Sequence, residues 1–311
     1  IVIIGGGVVG LATAWELIKR GHQVQLLERN GEPARATSFA NGGQLSYRYV
    51  APLADSGVPL QGMKWMGKAD SPLNMRLNIS FQQWRWLLQF LRACNSQTNK
   101  INGNHILRLS LLSRQVMQSW REEDRLADFH WRRSGKLIIH RREYDFTKAA
   151  RGIDPQYQQV LNAEACLRLE PALKHISPSL QGGIYSPGDE TADCHQFCLA
   201  LLDKLTASSR FSLLTHCEVL RLTKRGGRVS ALETSRGSIT GDEYVVAAGN
   251  GSGPLLGHLG VRVPLCALKG YSLTLPYPQQ TGIAPDISVT DYGHKIVYAR
   301  LGQQLRIAAM V

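Results

Sequence analysis

The chain opens on an aliphatic run, Ile1 to Ile4, passes through glycines, and then repeats Leu11, Ala14, Trp15 and Ile18 at helical spacing as far as Gly21. Gln23 to Leu27 resumes an apolar run, so this first stretch predicts a β-α-β unit. Between Leu60 and Asp124 the period lengthens. Trp84, Leu87, Leu88 and Leu91 make one stripe and Ile106, Leu109, Leu112 and Val116 another, which predicts long helices. Core packing is the expectation for the rings of Trp84, Trp86 and Phe90, with a layer resting on a membrane surface as the other use of such a group.

Further on, Phe129 to Arg141 reads as a hairpin broken at Ser134-Gly135, and helices are expected near Asn162 to Glu170, stopped by Pro171, and from Ala192 to Leu205. Short strands are expected at Ser212 to Leu222, Arg228 to Glu233 and Tyr244 to Ala248, the last of them buried. From Val263 to Val311 the pattern is that of antiparallel strands, with turns at Pro276 to Gln280 and Leu301 to Gln303.

A length of 311 residues favours two domains, and 43% hydrophobic with 19% charged residues is an ordinary globular composition that argues against disorder. The net charge of +12 leaves anionic lipid, nucleic acid and anionic substrates open as partners, but the cations are scattered and a generally basic surface accounts for them. Cys94, Cys166, Cys194, Cys198, Cys217 and Cys266 form no C-x-x-C pair, so reduced thiols of a cytoplasmic protein are expected, with no disulfide framework and no metal site. Cys194 and Cys198 lie one helical turn apart around His195, which is too few ligands to argue for zinc. No apolar run approaches the roughly 20 residues of a membrane span, and no secretory leader is read at the start. The absence of an initial Met and the final strand at Val311 read as a chain trimmed at both ends.

Gly5, Gly7 and Gly10 fit G-x-G-x-x-G between the first strand and its helix, the context that gives this pattern its specificity. Gly5 serves the tight turn, Gly7 the approach of backbone to a pyrophosphate, and Gly10 the close packing of helix on strand. Glu28 follows at the end of the second strand, where a carboxylate accepts ribose hydroxyls and disfavours a 2′-phosphate. Thr37-Ser38-Phe39-Ala40-Asn41-Gly42-Gly43-Gln44 comes next, with small residues and amides suited to a cofactor longer than its adenosine half. A single fingerprint argues against a reductase that binds both FAD and a nicotinamide.

These motifs, IVIIGGGVVGLATAWELIKRGHQVQLLER, ATSFANGGQLS, APLADSGVPLQGMKWM, GGIYSPGDETADCHQF and LKGYSLT, resemble the small subunit type of bacterial D-amino acid dehydrogenase, a branch of the D-amino acid oxidase superfamily of FAD proteins. The resemblance covers nearly the whole chain. It implies an α/β fold: a Rossmann-like FAD-binding domain (1–50 and 145–260) interleaved with an α+β substrate domain (51–144 and 261–311) that holds a mostly antiparallel sheet, the last part of the FAD domain being absent. FAD contacts are implied for Gly5, Gly7, Val8, Val9, Gly10, Glu28, Arg29, Thr37, Ser38, Asn41, Gly42 and Gln44. Val219 is implied at the adenine through its backbone, and Ala247, Ala248 and Gly249 as the second cofactor loop.

The implied reaction is oxidative deamination of small neutral D-amino acids, with a quinone-type acceptor and peripheral association with the inner membrane; no nucleic acid partner is expected. Relatives clamp the substrate carboxylate with Arg and Tyr. Here Ile296 stands where several oxidases have the Tyr, leaving Arg300, Tyr271 and Lys269 as candidates, with Tyr292 or Tyr298 as substitutes. Ala308 and Ala309 replace two glycines usual in the branch. Three alternatives stay open: an oxygen-using glycine or sarcosine oxidase, the FAD domain of a tRNA-modifying enzyme, and a flavin-binding relic without catalysis.

Overall fold

The structure is a computed structural model that describes residues 1–65, 81–277 and 282–310. Two compact units divide the chain: unit 1 is Ile1–Asn41, Leu126–Phe129 and Cys194–Ala267, and unit 2 is Gly42–Arg125, His130–Asp193 and Leu268–Val311. The chain enters unit 1 with β1 (Val2–Ile4), α1 (Val8–Lys19) and β2 (Val24–Leu27). It crosses to unit 2 for β3 (Gln44–Leu45), α2 (Val58–Trp65), α3 (Phe81–Ala93), α4 (Ser96–Glu122), β4 (Lys136–His140), α5 (Glu143–Arg151), β5 (Gln159–Asn162), α6 (Ala163–Leu169), a 3-10 turn at Pro171–Ser179, β6 (Gly182–Ser186) and β7 (Glu190–Thr191). Unit 1 resumes with α7 (Cys194–Thr206), β8 (Phe211–Leu214), β9 (Val219–Arg225), β10 (Arg228–Thr234), β11 (Gly237–Ile239), β12 (Tyr244–Val246) and α8 (Ser252–Gly257). Unit 2 takes β13 (Gly270–Pro276), β14 (Ser288–Asp291), β15 (Ile296–Leu301) and β16 (Gln304–Met310).

Unit 1 is built on a parallel sheet of order β12-β1-β2-β8, with Val2 opposite both Tyr244 and Gln25. A helix joins β1 to β2, as a parallel pair requires. Helix α1 buries Leu11, Ala14 and Ile18, and α7, which packs against it, buries Phe197, Cys198, Leu201 and Leu205. On the side of the β9-β10-β11 ribbon, Val2, Ile4, Leu27, Cys217, Leu222 and Leu232 make a second core cluster. The β-α-β expectation is met. Strand β12 differs from expectation: it is half-buried, because it forms an edge of its sheet.

Unit 2 holds a seven-stranded sheet of order β13-β16-β15-β14-β4-β6-β5, antiparallel except where β14 runs parallel to β4. Its register separates two faces, since alternate residues point to opposite sides. Lys136 pairs with Ser288, Thr290 with Val297 and Val297 with Ala308, which places these on one face. Leu137, Val289, Tyr298 and Ile307 lie on the other, where Leu137, Ile139 and Val289 join Cys166, Leu173 and Leu180 in a buried cluster.

Three expectations are corrected. The hairpin at Phe129 to Arg141 is a single strand, β4, whose partners β14 and β6 come from far along the sequence; Gly135 (φ +67) turns the chain into it beneath the Tyr185 ring. Residues 145–193 lie in unit 2 and not with the parallel sheet, because β5 and β6 pair antiparallel to each other and β6 to β4. The helical stripes are the third. Trp84, Leu88, Leu91, Ile106, Leu109 and Leu112 are exposed, while Trp86, Leu87, Phe90 and Val116 are half-buried, and the inner side of α4 carries Gly103, Leu107, Ser110, Arg114 and Met117, with Trp120 buried near its end. Part of the expected turn at Pro276 to Gln280 lies outside the described residues.

Candidate cofactor and substrate site

In unit 1 the fingerprint glycines divide by what a side chain would meet. Gly5 has φ +107, and a Cβ there would sit 2.5 Å from the Ala247 carbonyl oxygen. A Cβ at Gly10 would lie 1.9 Å from the Gly5 carbonyl oxygen, so the helix cannot approach the strand turn with any side chain in that position. Gly7 is different. A Cβ there meets only Ser38 Oγ, at 3.4 Å, which is ordinary contact. The chain itself therefore leaves room beside Gly7, at the head of α1, where a helix N-terminus favours a phosphate. That open cradle fits the pyrophosphate of a dinucleotide.

Glu28 directly follows β2 and is buried. Its Oε2 accepts the Gly6 amide at 2.8 Å, and its Oε1 accepts both the backbone and side-chain nitrogens of Asn30, each at 2.8 Å. The carboxylate is thus fixed in orientation beside the glycine turn while an ionised group retains further lone pairs for hydroxyl donors. Ser38 is buried and its Oγ accepts the Val8 amide at 3.0 Å, so the loop following β2 returns to the first turn of α1. Arg29, Thr37 and Val9 are exposed, and Asn41 is half-buried. Glu28 also meets the 214–217 segment through backbone bonds, from its amide to Leu214 and from the Cys217 amide, which brings the chain just ahead of Val219 alongside it. Ala247 donates to Ile4, and with Ala248 and Gly249 (φ +55) it continues β12 past the Gly5 turn. Unit 1 therefore collects Gly5, Gly7, Val8, Gly10, Glu28, Ser38 and the Ala247–Gly249 loop around one strand end, the position where open parallel sheets bind ligands.

Unit 2 begins at Gly42, one residue beyond Asn41. A Cβ at Gly42 would meet Val297 at 3.0 Å and Ala308 at 3.9 Å, and Gly43 (φ +64) lies against Leu301. The Gln44 side chain donates to Ser288 Oγ at 2.6 Å and accepts from Thr290 Oγ1. This loop is pinned to the sheet face that carries Lys136, Ser288, Thr290, Val297 and Ala308.

The candidate clamp residues lie elsewhere. Arg300, two positions from Tyr298, shares the opposite face; its guanidinium bonds to Asp286 and rests 4.2 Å over the Tyr277 ring. Burial works against charge on Asp286, but hydrogen bonds from Arg132 and Arg300 outweigh it and hold its carboxyl below the usual range. Tyr271 pairs with Ala309 across the β13–β16 register and is exposed, with the Lys269 ammonium 4.9 Å from its ring. Tyr292 lies against His140 and under Lys295, and burial raises the Tyr298 phenol above its ordinary value. The structure does not bring Arg300 or Tyr271 to the face that carries the Gln44 loop.

That face has a polar cluster that the sequence reading missed. Lys136 is buried, donates to Ser46 Oγ at 2.7 Å and points at the Tyr49 ring; burial draws its ammonium down to about 8, against the pull of Asp189. Glu190 Oε2 accepts from Tyr47 Oη and Trp131 Nε1, both at 2.8 Å, and Asp189 Oδ1 accepts the Tyr47 amide. Burial raises the Asp189 carboxyl. The available signal was a lysine heading an otherwise apolar strand, Lys136-Leu-Ile-Ile, a place where a cation is costly unless held. Asn30 was missed as well, and nothing in its spacing marks it.

Comparison with known proteins places these features. The family model for FAD dependent oxidoreductases, DAO, matches residues 1–311. The chain is 50% identical over its full length to D-amino acid dehydrogenase 2 of Pseudomonas aeruginosa, spanning 74% of that protein, and 40% identical to D-amino acid dehydrogenase 2 of Ralstonia nicotianae, spanning 75%. Among solved structures it is similar to glycine oxidase from Geobacillus kaustophilus (20% identity, TM-score 0.68, 100% of this chain and 70% of that one) and to L-proline dehydrogenase from P. horikoshii (15% identity, TM-score 0.68, 99% and 68%), likenesses that speak to fold. The dinucleotide cradle and the family match agree: this chain belongs to the DAO family of FAD-dependent oxidoreductases.

Proposed function

We propose that the protein is an FAD-dependent dehydrogenase of small neutral D-amino acids, yielding the 2-oxo acid and ammonia and passing electrons to a quinone-type acceptor at the inner membrane. The observation that carries this reading is the 50% identity to a D-amino acid dehydrogenase over the whole chain, joined to a glycine turn whose open space fits the cofactor. Bound FAD would supply the redox chemistry for removing a hydride from the substrate Cα. Glu28, held by Gly6 and Asn30, would receive the adenosine ribose; the turn from Gly5 to Gly10 with the first amides of α1 would take the pyrophosphate; and Val219 would serve the adenine through its backbone. Arg29, Thr37, Ser38, Asn41, Gly42 and Gln44 would follow the cofactor toward its flavin end, and Ala248 and Gly249 would border it.

The substrate must arrive with its amine neutral and its carboxylate held, so orientation is the main task of the protein. Of the candidate clamp residues, Arg300 already carries Asp286 and is given a positioning role, Tyr271 lies on the sheet face opposite the Gln44 loop, and Lys269, just ahead of β13, presents an exposed ammonium. An anaerobic visible spectrum of the flavin-loaded protein, recorded before and after addition of D-alanine, tests the reading. Bleaching supports it. A flavin that stays oxidised with every D-amino acid but bleaches with glycine or sarcosine, and releases peroxide in air, would assign the protein to the amine oxidases instead.

A further inference from the structure

We propose that Lys136, acting through Ser46, takes up the ammonium proton of the amino acid substrate, so that the amine is neutral when its Cα is oxidised. The inference rests on the reading of an amino acid dehydrogenase and supplies what that reading leaves unassigned, the destination of this proton. Lys136 lies on the sheet face that carries the Gln44 loop, and Ser46 follows Gln44 by two residues. The lysine is 4% exposed; Ser46 Oγ lies 2.7 Å from its Nζ and the Tyr49 ring 4.7 Å away. Ser46 itself is half-buried. A ligand on this face can therefore touch the hydroxyl but not the amine behind it. A buried lysine with a purely structural task is expected to hold a carboxylate. Asp189 attracts Lys136 without bonding to it: Oδ1 accepts the Tyr47 amide at 3.0 Å, and Oδ2 has no hydrogen-bond partner although the residue is 2% exposed.

The surroundings tune the lysine for proton exchange. Burial draws it down to about 8, against the pull of Asp189. Glu190 stands beside Asp189 and is held by Tyr47 and Trp131, and Arg114 of α4 faces both Asp189 and the Tyr47 ring. Tyr292 neighbours Tyr49, and the flanking strands β6 and β14 place Ser186 and Ser288 opposite Lys136. A group that titrates near neutral pH is best suited to acid–base work there. In the step, the substrate ammonium gives a proton to Ser46 Oγ while the Ser46 hydroxyl proton passes to the lone pair of Lys136 Nζ. The substrate becomes a neutral amine, Lys136 becomes an ammonium, and no electrons change hands. One contact serves both states, because a hydroxyl donates to the neutral amine and accepts from the ammonium.

The experiment follows anaerobic flavin bleaching by subsaturating D-alanine from about pH 6 to about pH 10 in wild type, Lys136→Met, Ser46→Ala and Ser46→Thr. The wild-type rate should rise with pH and level off above about 8. Lys136→Met and Ser46→Ala should each be slower by about a hundredfold at pH 7, and the deficit should shrink to within about threefold at pH 10, where the substrate brings its own neutral amine. Ser46→Thr keeps a hydroxyl and should stay within about threefold of wild type throughout. A second readout needs no turnover: 2-methylalanine lacks a Cα hydrogen, and its binding at about pH 9 should release almost no proton from wild type and about one from Lys136→Met. A deficit of the same size at every pH, or equal proton release by the two proteins, would overturn the proposal. If Lys136→Met does not fold, Ser46→Ala with the wild-type pH profile overturns it equally. Wild type that bleaches with D-alanine while the variants keep its profile refutes the relay alone. Wild type that no D-amino acid bleaches refutes the substrate reading, and the proton count with 2-methylalanine still decides the relay.

Discussion

The ammonium of Lys136 donates to Ser46 Oγ at 2.7 Å, tying the first residue of β4 to the loop that carries Gly42 and Gln44. Because burial lowers this lysine to about 8, against the opposing charge of Asp189, its charged form is disfavoured in the folded state. An unfolded lysine holds its proton to about pH 10.4, so between these values the unfolded chain binds more protons and folding stability rises with pH. The expected signature is a stability difference between wild type and Lys136→Met that shifts toward wild type by on the order of 3 kcal/mol from pH 7 to pH 10.5. Chemical denaturation at several pH values measures it. A difference that is flat across the range would show that Lys136 is better solvated than its burial indicates.

Gly10 and Gly7 should separate folding from cofactor binding. Gly10→Ala places a Cβ 1.9 Å from the Gly5 carbonyl oxygen, and such overpacking against backbone should cost about 2–4 kcal/mol of stability. Gly7→Ala meets only Ser38 Oγ at 3.4 Å, so the apoprotein should melt within about 2 °C of wild type while the FAD dissociation constant rises by about tenfold or more. Thermal melts of apoprotein and fluorescence titration with FAD read the two effects. Equal losses in both variants would sink the distinction.

Asn30→Ala removes the side-chain donor to Glu28 Oε1 and leaves the backbone donors from Gly6 and Asn30 in place. One charge-assisted hydrogen bond orients the carboxylate less firmly, and a rise of about threefold to tenfold in the FAD dissociation constant is expected. Glu28→Ala should exceed that effect. An Asn30→Ala protein with unchanged FAD affinity would show that the backbone bonds alone fix Glu28.

If Arg300 positions Asp286 and does not clamp substrate, Arg300→Met should lower stability while leaving KM for D-alanine within about threefold of wild type. The Asp286 carboxyl, held low by Arg132 and Arg300, contributes stability at pH values above its unfolded value near 4 and loses it as the pH falls below. Removing Arg300 should therefore flatten acid unfolding in that window. A rise in KM of a hundredfold with unchanged stability would return Arg300 to the substrate.

Local signals were enough to place the glycine turn beside Glu28. Gly5, Gly7, Gly10 and Glu28 lie within one β-α-β stretch, where turn geometry dictates residue type, so their spacing predicts that they gather at one strand end. The face of the large sheet was not legible, because it depends on register between strands from distant parts of the chain: only the pairing of Thr290 with Val297 and Val289 with Tyr298 shows that Arg300 and Gln44 belong to opposite faces. The stripes of α3 and α4 misled for a related reason. Periodicity shows that a helix has two sides and does not say which one is turned inward.

Val2 must find Tyr244 to complete the parallel sheet, a partner roughly 240 residues later. At synthesis rates of about 5–20 residues per second, β1 waits on the order of 10–50 s on the ribosome before its second neighbour exists. During that interval most of unit 2 is made and able to collapse, while one edge of β1 and the apolar side chains of Val2 and Ile4 lack their final cover. Newly made chains should therefore be most vulnerable to aggregation and proteolysis before residue 244 emerges. Dependence on chaperones in the cell should ease once that point has passed.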